Sequence, residues 1–438
     1  MSVKITMVGT GYVGLVSGAC FADLGHDVIC VDKDERKIRM LLEGKMPIYE
    51  PGLDELVHRN VDAGRLRFST DVAASVKDRE AVFIAVGTPT ENGSDRADLK
   101  YVYAAAGEIA QAANGFTVVV TKSTVPVGTN AQVFDISQKN VASGARIAVA
   151  SNPEFLREGA AINDFLEPDR IVVGVEDDEA KAVMRRIYAP LLLHGNVPLL
   201  ITGIQTAELI KYAANAFLAV KISFIDEMAN LCEAVGGNVE EVARGIGLDK
   251  RIGPSFLNTG PGWGGSCFPK DTRALLATAN DAGVPSRIVT SAVDANSARK
   301  IAMVDRIAKA CGGELRGKRI AVLGLTFKGQ TDDMRESTSL VVLPELLRRG
   351  ARLTAYDPSN PHEAQHYLPE VQMVKTAEDA AEGADALVVL TDWMVFKTYD
   401  LKELSSVMAS PNMIDLRNLF DEAEATAGGF VKYSSLGR

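Results

Sequence analysis

Apolar residues in this chain recur with two alternating periods. Val3 to Val8 is a short apolar run that ends at Gly9, and a helical stretch follows to about Leu24. Asp27 to Val31 is a second run, closed by Asp32. Further runs of strand length lie at Ala81 to Val86, Thr117 to Thr121, Arg146 to Ala150 and Ile171 to Val175. Short apolar strands alternating with helical stretches predict a parallel doubly wound sheet.

From Gly203 to Val235 the pattern changes. There is no proline or internal glycine, and Leu209, Ile210, Ala213, Ala214, Phe217 and Val220 recur at helical spacing. This predicts one helix of about 30 residues, about 45 Å long. Such a helix is suited to connect domains and to form a dimer interface. Val239 to about Ala310 reads as further helices, interrupted by the glycine-rich stretch Gly260 to Gly265. Gly312-Gly313 marks a linker, and beyond it α/β character returns. Strands are expected at Arg319 to Leu323, Arg352 to Tyr356, Ala386 to Leu390 and Met413 to Asp415, with a helix from Glu336 to Arg349. The predicted fold is α/β, two Rossmann-like doubly wound domains joined by a long central helix. The expected divisions are 1–202, 203–312 and 313–438.

Composition narrows the class. A chain of 438 residues, 47% hydrophobic and 24% charged, is a globular protein of two or three domains. A formal net charge of −10 argues against a general nucleic-acid binder. The N-terminus has no basic leader or apolar core, and no run of about 18 apolar residues occurs, so neither a signal peptide nor a membrane span is expected. Five scattered cysteines without a CxxC pair suggest a reduced, cytoplasmic protein with no metal site.

Candidate chemistry begins at Gly9-Thr10-Gly11-Tyr12-Val13-Gly14. The spacing of Gly9, Gly11 and Gly14 allows a tight turn, close approach of backbone to a pyrophosphate, and close helix–strand packing. Asp32 ends the next strand, where an acid accepts hydrogen bonds from ribose hydroxyls and repels a 2′-phosphate. NAD is therefore expected rather than NADP, although Lys33 and Lys37 stand close by.

A second element is Gly264-Gly265-Ser266-Cys267-Phe268-Pro269-Lys270-Asp271, which leads into a helical run. The helix entrance and Lys270 both favour the thiolate of Cys267. A nucleophilic thiol in a chain that also holds a hydride acceptor suggests oxidation through a covalent thio-intermediate. Cys20, Cys30, Cys232 and Cys311 read instead as small buried apolar groups or linker neighbours.

Other candidates sit where strands end, the usual ligand position of such sheets. They are Gly87-Thr88-Pro89, the stretch Ser123 to Thr129 with Thr124, and Asn152-Pro153-Glu154-Phe155-Leu156-Arg157-Glu158-Gly159. Glu154 and Glu158 are potential bases or hydroxyl-binding groups, or simply an i,i+4 pair at a charged helix start. Lys211 and Asn215 share a helix face and could stabilise an oxyanion, or be a snorkelling lysine beside a polar surface. Phe327-Lys328-Gly329 and Asp332 to Ser337 follow the first strand of the last domain, where Lys328 could meet a diphosphate. No GxGxxG stands there, so a second dinucleotide site is not expected.

Six ordered motifs, GTGYVG, STVPVGT, NPEFLREG, KYAANAF, GGSCFPKD and FKGQTDDMRES, resemble the UDP-glucose/GDP-mannose dehydrogenase family over nearly the whole chain. The resemblance implies a four-electron, NAD-dependent oxidation of a sugar-nucleotide CH₂OH to a carboxylate. UDP-glucose is the implied substrate, and GDP-mannose with the same chemistry is the alternative. It implies that Cys267 attacks the C6 aldehyde, giving a thiohemiacetal, then a thioester that water hydrolyses. Lys211 and Asn215 would stabilise the oxyanion, Asp271 with Thr124 would position water or move protons, and Glu154 would act as base in hydrolysis. Gly9, Gly11, Tyr12, Val13, Gly14, Asp32, Lys37, Thr88, Thr124, Glu158, Lys270 and Arg335 would contact NAD. Glu154, Phe155, Leu156, Arg157, Glu158, Lys211, Asn215, Arg251, Phe256, Leu257, Asn258, Thr259, Gly260, Gly264 and Lys328 would hold the nucleotide sugar, Arg251 across a homodimer interface. A non-catalytic sugar-nucleotide sensor, or a two-electron hydroxyacid dehydrogenase, would have no need of Cys267.

Overall fold

The computed structural model describes residues 2–91, 93–194 and 197–438. The chain forms two compact units, Met1–Ala214 and Asn215–Arg438. The helix Ile204–Val235, 32 residues long, runs from one into the other.

The first unit is built on eight strands: β1 (Lys4–Val8), β2 (Asp27–Val31), β3 (Leu66–Ser69), β4 (Ala81–Ile84), β5 (Phe116–Thr121), β6 (Arg146–Ser151), β7 (Ile171–Val175) and β8 (Leu199–Thr202). Their order in the sheet is β3-β2-β1-β4-β5-β6-β7-β8. Sequences such as Ala-Val-Phe-Ile in β4 are buried on both faces, the signature of a sheet sandwiched between helices. Phe21 shows how tightly one face is filled: it is fully buried, with the Phe83 ring at 5.1 Å and the Phe165 ring edge-on at 4.9 Å. Truncating a side chain so placed costs about 3–5 kcal/mol.

The sheet departs from the sequence expectation in two ways. β3 and β8 are additional strands, each only four residues long. The β6–β7 junction is antiparallel, pairing Ala150 with Val175 and Ser151 with Gly174. A parallel return needs a crossover that carries the chain back along the sheet. Between β6 and β7 the chain instead spends residues 152–160 in an irregular loop and forms only the six-residue helix Ala161–Leu166.

The second unit holds a parallel six-stranded sheet: β9 (Arg319–Leu323), β10 (Arg352–Tyr356), β11 (Gln372–Met373), β12 (Ala386–Val389), β13 (Asn412–Asp415) and β14 (Lys432–Ser434), in the order β11-β10-β9-β12-β13-β14. The helices Val239–Gly247, Phe268–Asp281 and Arg287–Ala310 precede it. β11 and β14, two and three residues long, are too short to show an apolar pattern. The helix expected from Glu336 begins only at Ser339. Glu336 has a left-handed φ of 53°, and the Ser337 and Ser339 hydroxyls both donate to the Leu325 carbonyl, which holds this stretch out of the helix.

Candidate active site

The dinucleotide fingerprint lies between β1 and the helix Tyr12–Asp23. Gly9 has φ 106°, and a Cβ there would stand 2.5 Å from the Ala85 carbonyl oxygen. A Cβ on Gly14 would lie 2.0 Å from the Gly9 oxygen, so only glycine lets helix and turn close together. Gly11 differs: a Cβ on it would meet nothing within 4 Å. It occupies the N-cap of the helix with no side chain capping the first amides. An open space against uncapped helix amides is the arrangement a pyrophosphate requires.

Asp32 Oδ2 accepts from the Thr10 amide at 2.8 Å and the Thr10 hydroxyl at 2.9 Å, while Oδ1 accepts from the Asp34 amide at 3.0 Å. Burial alone would raise its pKa, but these hydrogen bonds, with Lys37 nearby, hold it below the ordinary carboxylate value. Asp32 is thus an anion at the end of β2, suited to ribose hydroxyls and hostile to a 2′-phosphate. The residues present fit NAD. The loops after β4 and β5 are tied together, since the Thr88 hydroxyl donates to the Thr124 carbonyl at 3.0 Å and Ser123 donates to the Val86 carbonyl at 2.7 Å.

Past β6, a buried charged cluster forms. Lys211 Nζ donates to Glu154 Oε1 at 3.0 Å, and Glu154 Oε2 accepts from the Leu156 amide at 2.6 Å. The Lys211 and Glu154 side chains are 5% and 6% exposed. Burial pushes the Glu154 pKa up, yet Lys211, the Leu156 amide and Lys122 together bring it below the usual value. Phe155 is stacked under the Arg170 guanidinium at 3.8 Å and also lies 5.3 Å from Lys211 Nζ. Arg157 turns away into a bidentate pair with Asp164, at 3.0 and 2.6 Å.

Sequence reasoning missed two members of this region. Glu50, buried, accepts from the Gly159 and Ala161 amides at 2.7 Å each and bonds the Tyr12 hydroxyl. It thereby fastens the end of the Glu154–Glu158 loop to the dinucleotide turn. Lys122 follows β5 directly and is buried, with Nζ donating to Asn152 Oδ1 at 3.2 Å. Its signal was a lysine at a strand end beside an otherwise hydroxyl-rich loop.

In the second unit, Cys267 is the N-cap of the helix Phe268–Asp281, partly exposed, with Sγ 3.6 Å from the Ser266 hydroxyl. The helix dipole and terminal amides favour a thiolate at that position. Cys30, by contrast, is pushed up to about 12 by burial, and Cys20 is raised as well, so both are inert thiols. One helical turn past Cys267, Asp271 is 1% exposed and has both oxygens engaged. Lys270 Nζ donates to Oδ1 at 2.7 Å and Asn215 Nδ2 to Oδ2 at 2.6 Å. Lys211 and Asn215, one turn apart on the long helix, thus serve different carboxylates.

The Cys267 loop is fixed by backbone contacts. The Gly265 amide donates to the Arg335 carbonyl at 3.0 Å, and Gly265 has φ 85°. A Cβ on Gly264 would come 2.1 Å from the Glu336 oxygen. In the loop Phe256 to Gly260, Leu257 is buried with Ile225 and Val239, Asn258 is exposed, and Thr259 and Gly260, both buried, donate to Asp226 Oδ1 at 2.8 and 2.9 Å. Arg299 pairs with Asp226 and donates to the Gly260 carbonyl at 2.5 Å. Phe256 has a left-handed φ of 63° and faces the Phe268 ring at 6.1 Å. Arg251 and Arg335 are exposed, each paired with an aspartate two residues away, Asp249 and Asp333. Lys328 Nζ lies 5.5 Å from the Phe327 ring centre.

Three family models match the chain in order. They are the NAD binding domain of the UDP-glucose/GDP-mannose dehydrogenase family at residues 3–192, its central domain at 205–298 and its UDP binding domain at 321–422. The chain belongs to that family. The chain is 55% identical over 438 residues to a UDP-glucose 6-dehydrogenase of Rhizobium meliloti (strain 1021), covering 100% of both chains. It is 46% identical to UDP-glucose 6-dehydrogenase TuaD of Bacillus subtilis (strain 168), covering 99% of this chain and 93% of that one. Among solved structures, a UDP-glucose dehydrogenase from the hyperthermophilic archaeon Pyrobaculum islandicum is similar, with a TM-score of 0.91 and 36% identity over 99% of this chain and 97% of that one. Membership makes the protein an NAD-dependent oxidoreductase, with the fingerprint at Gly9 to Gly14 in the NAD binding domain. Among the described residues, no helix is long and apolar enough to cross a membrane.

Proposed function

We propose that this protein oxidises UDP-glucose at C6 to UDP-glucuronate, with NAD taking up hydride at both oxidation steps. The full-length likeness to relatives named for this substrate supports UDP-glucose. The observation that carries the chemistry is Cys267 at the start of the helix Phe268–Asp281.

In this reading the C6 alcohol loses a hydride and a proton to become an aldehyde. The Cys267 thiolate adds to it, and the alkoxide takes a proton to give a thiohemiacetal. Loss of a second hydride and the hydroxyl proton gives a thioester. Water then adds, the C–S bond breaks, and the carboxylate and the thiolate are released. A covalent intermediate keeps C6 in place while the reduced nucleotide is exchanged for oxidised. Lys211 and Asn215 offer an ammonium and an amide to the oxyanions, Asp271 with Thr124 orients water, and Glu154, held ionised, accepts its proton. Asp32, Lys37 and Thr88 act toward the dinucleotide, and Arg251, Lys328 and the loop Phe256 to Gly260 toward the nucleotide sugar. The division into 1–202, 203–312 and 313–438, for cofactor, connection with Cys267, and nucleotide sugar, belongs to the same proposal.

A homodimer and a cytoplasmic location complete the reading. Phe217, Phe224, Leu231 and Val235 on the long helix are 65%, 47%, 51% and 71% exposed, an apolar stripe suited to a second copy. Light scattering on the purified protein tests it, and a monomer at micromolar concentration contradicts it. The substrate assignment is tested by offering UDP-glucose and GDP-mannose separately with NAD and identifying the product by mass spectrometry. UDP-glucuronate from the first and no acid from the second is expected. The reverse pattern overturns the assignment while leaving the chemistry intact.

A further inference from the structure

We propose that Lys122 is a positioning residue for this reaction, seating the Glu154 loop through Asn152 and supplying a second buried cation near that loop. The inference rests on the reading of Glu154 as the base that serves hydrolysis.

Lys122 is 3% exposed, and a cation so buried is retained only where it is paired. Its Nζ donates to Asn152 Oδ1 at 3.2 Å and lies 5.8 Å from the Phe165 ring. Asn152 is itself locked, donating to the Val172 carbonyl at 2.8 Å and accepting from the Tyr188 hydroxyl at 2.5 Å. Pro153 and Glu154 follow directly. The ionisable groups facing Lys122 are Glu154, Lys211 on the long helix, and the Cys20 thiol, whose burial keeps it protonated. Those facing Glu154 are Lys211 and Lys122. Both ammonium groups act on the Glu154 carboxylate, so Lys122 still balances its charge when Lys211 is drawn toward an oxyanion. Burial pushes the Lys122 ammonium down to about 8, Glu154 opposing the shift and Lys211 adding to it. An arginine at this position would stay charged across the whole working range.

The test compares wild type, Lys122→Met and Lys122→Arg by kcat/KM for UDP-glucose against pH at saturating NAD. Loss of the cation is expected to lower kcat/KM about tenfold and to move the acid limb up by about one pH unit, because Glu154 protonates more readily. Lys122→Arg is expected to restore the acid limb and move the alkaline limb upward. Loss of rate in Lys122→Met with an unshifted acid limb, or unchanged kinetics, overturns the proposal. Should Lys122→Met fail to fold, Lys122→Arg decides: an alkaline limb unchanged from wild type overturns it. Absence of turnover in the wild type would instead refute the activity on which the inference rests.

Discussion

Lys211 on the long helix and Glu154 beyond β6 form an ion pair of 3.0 Å in which both side chains are nearly inaccessible to water. An isolated buried charge costs several kcal/mol, so each partner is the condition for the other's burial. The pair is also where sequence motifs widely separated along the chain become one chemical unit.

Lys211→Met removes the nearer cation from Glu154 and is expected to destabilise the fold by about 3 kcal/mol at neutral pH. The Glu154 pKa lies below its ordinary 4.5 in the fold, so the pair's contribution is complete above that value and fades as pH falls through the folded one. Urea midpoints of wild type and variant should therefore converge on acidification. A gap that stays constant from pH 7 to below 4.5 would show that the pair does not account for it.

Gly11 and Gly14 should respond in opposite ways to alanine. Gly14→Ala drives a methyl to 2.0 Å from the Gly9 oxygen, so the thermal midpoint should fall by several degrees. Gly11→Ala meets nothing within 4 Å among the described residues and should melt like wild type, yet it fills the space that the pyrophosphate needs. NAD affinity measured by calorimetry should drop at least about tenfold. Unchanged NAD affinity in Gly11→Ala would contradict the placement of the pyrophosphate.

His26 is fully enclosed, with Nδ1 accepting from the Val3 amide at 3.2 Å and Nε2 within 2.8 Å of the Ile187 carbonyl. That pattern requires the neutral ring with its proton on Nε2. Burial lowers its pKa below the ordinary 6.5, so the unfolded chain takes up the proton first. Stability from this group is full above 6.5 and is lost as pH falls from there toward the folded value, by up to about 1.4 kcal/mol per pH unit. Denaturation at pH values above and below 6.5 should show a shallower pH dependence for His26→Gln than for wild type. Parallel curves would exclude His26 as the source.

Much of this architecture is legible along the chain, for identifiable reasons. β4 is wholly apolar, and β1 and β5 are mostly so apart from Lys4, Thr6, Thr117 and Thr121, because helices cover both faces, and the long helix lacks proline and glycine throughout. The antiparallel β6–β7 junction was not legible, because it depends on where a loop without periodicity turns. Motif spacing could place Cys267 at a helix entrance but could not show Asp271 shared between Lys270 and Asn215. Glu50 escaped notice because it lies outside a recognisable motif and matters only through what it touches after folding, and Lys122 because its one signal, a lysine before the Ser123 to Thr129 loop, gains its meaning only from its burial against Asn152.

The central claim is a four-electron oxidation through Cys267, and the most direct measurement is NADH formed per mole of limiting UDP-glucose with excess NAD. The account predicts two NADH per sugar from the wild type, with UDP-glucuronate as product, and no net acid from Cys267→Ser. One NADH per sugar, or normal steady-state acid production by Cys267→Ser, would contradict it.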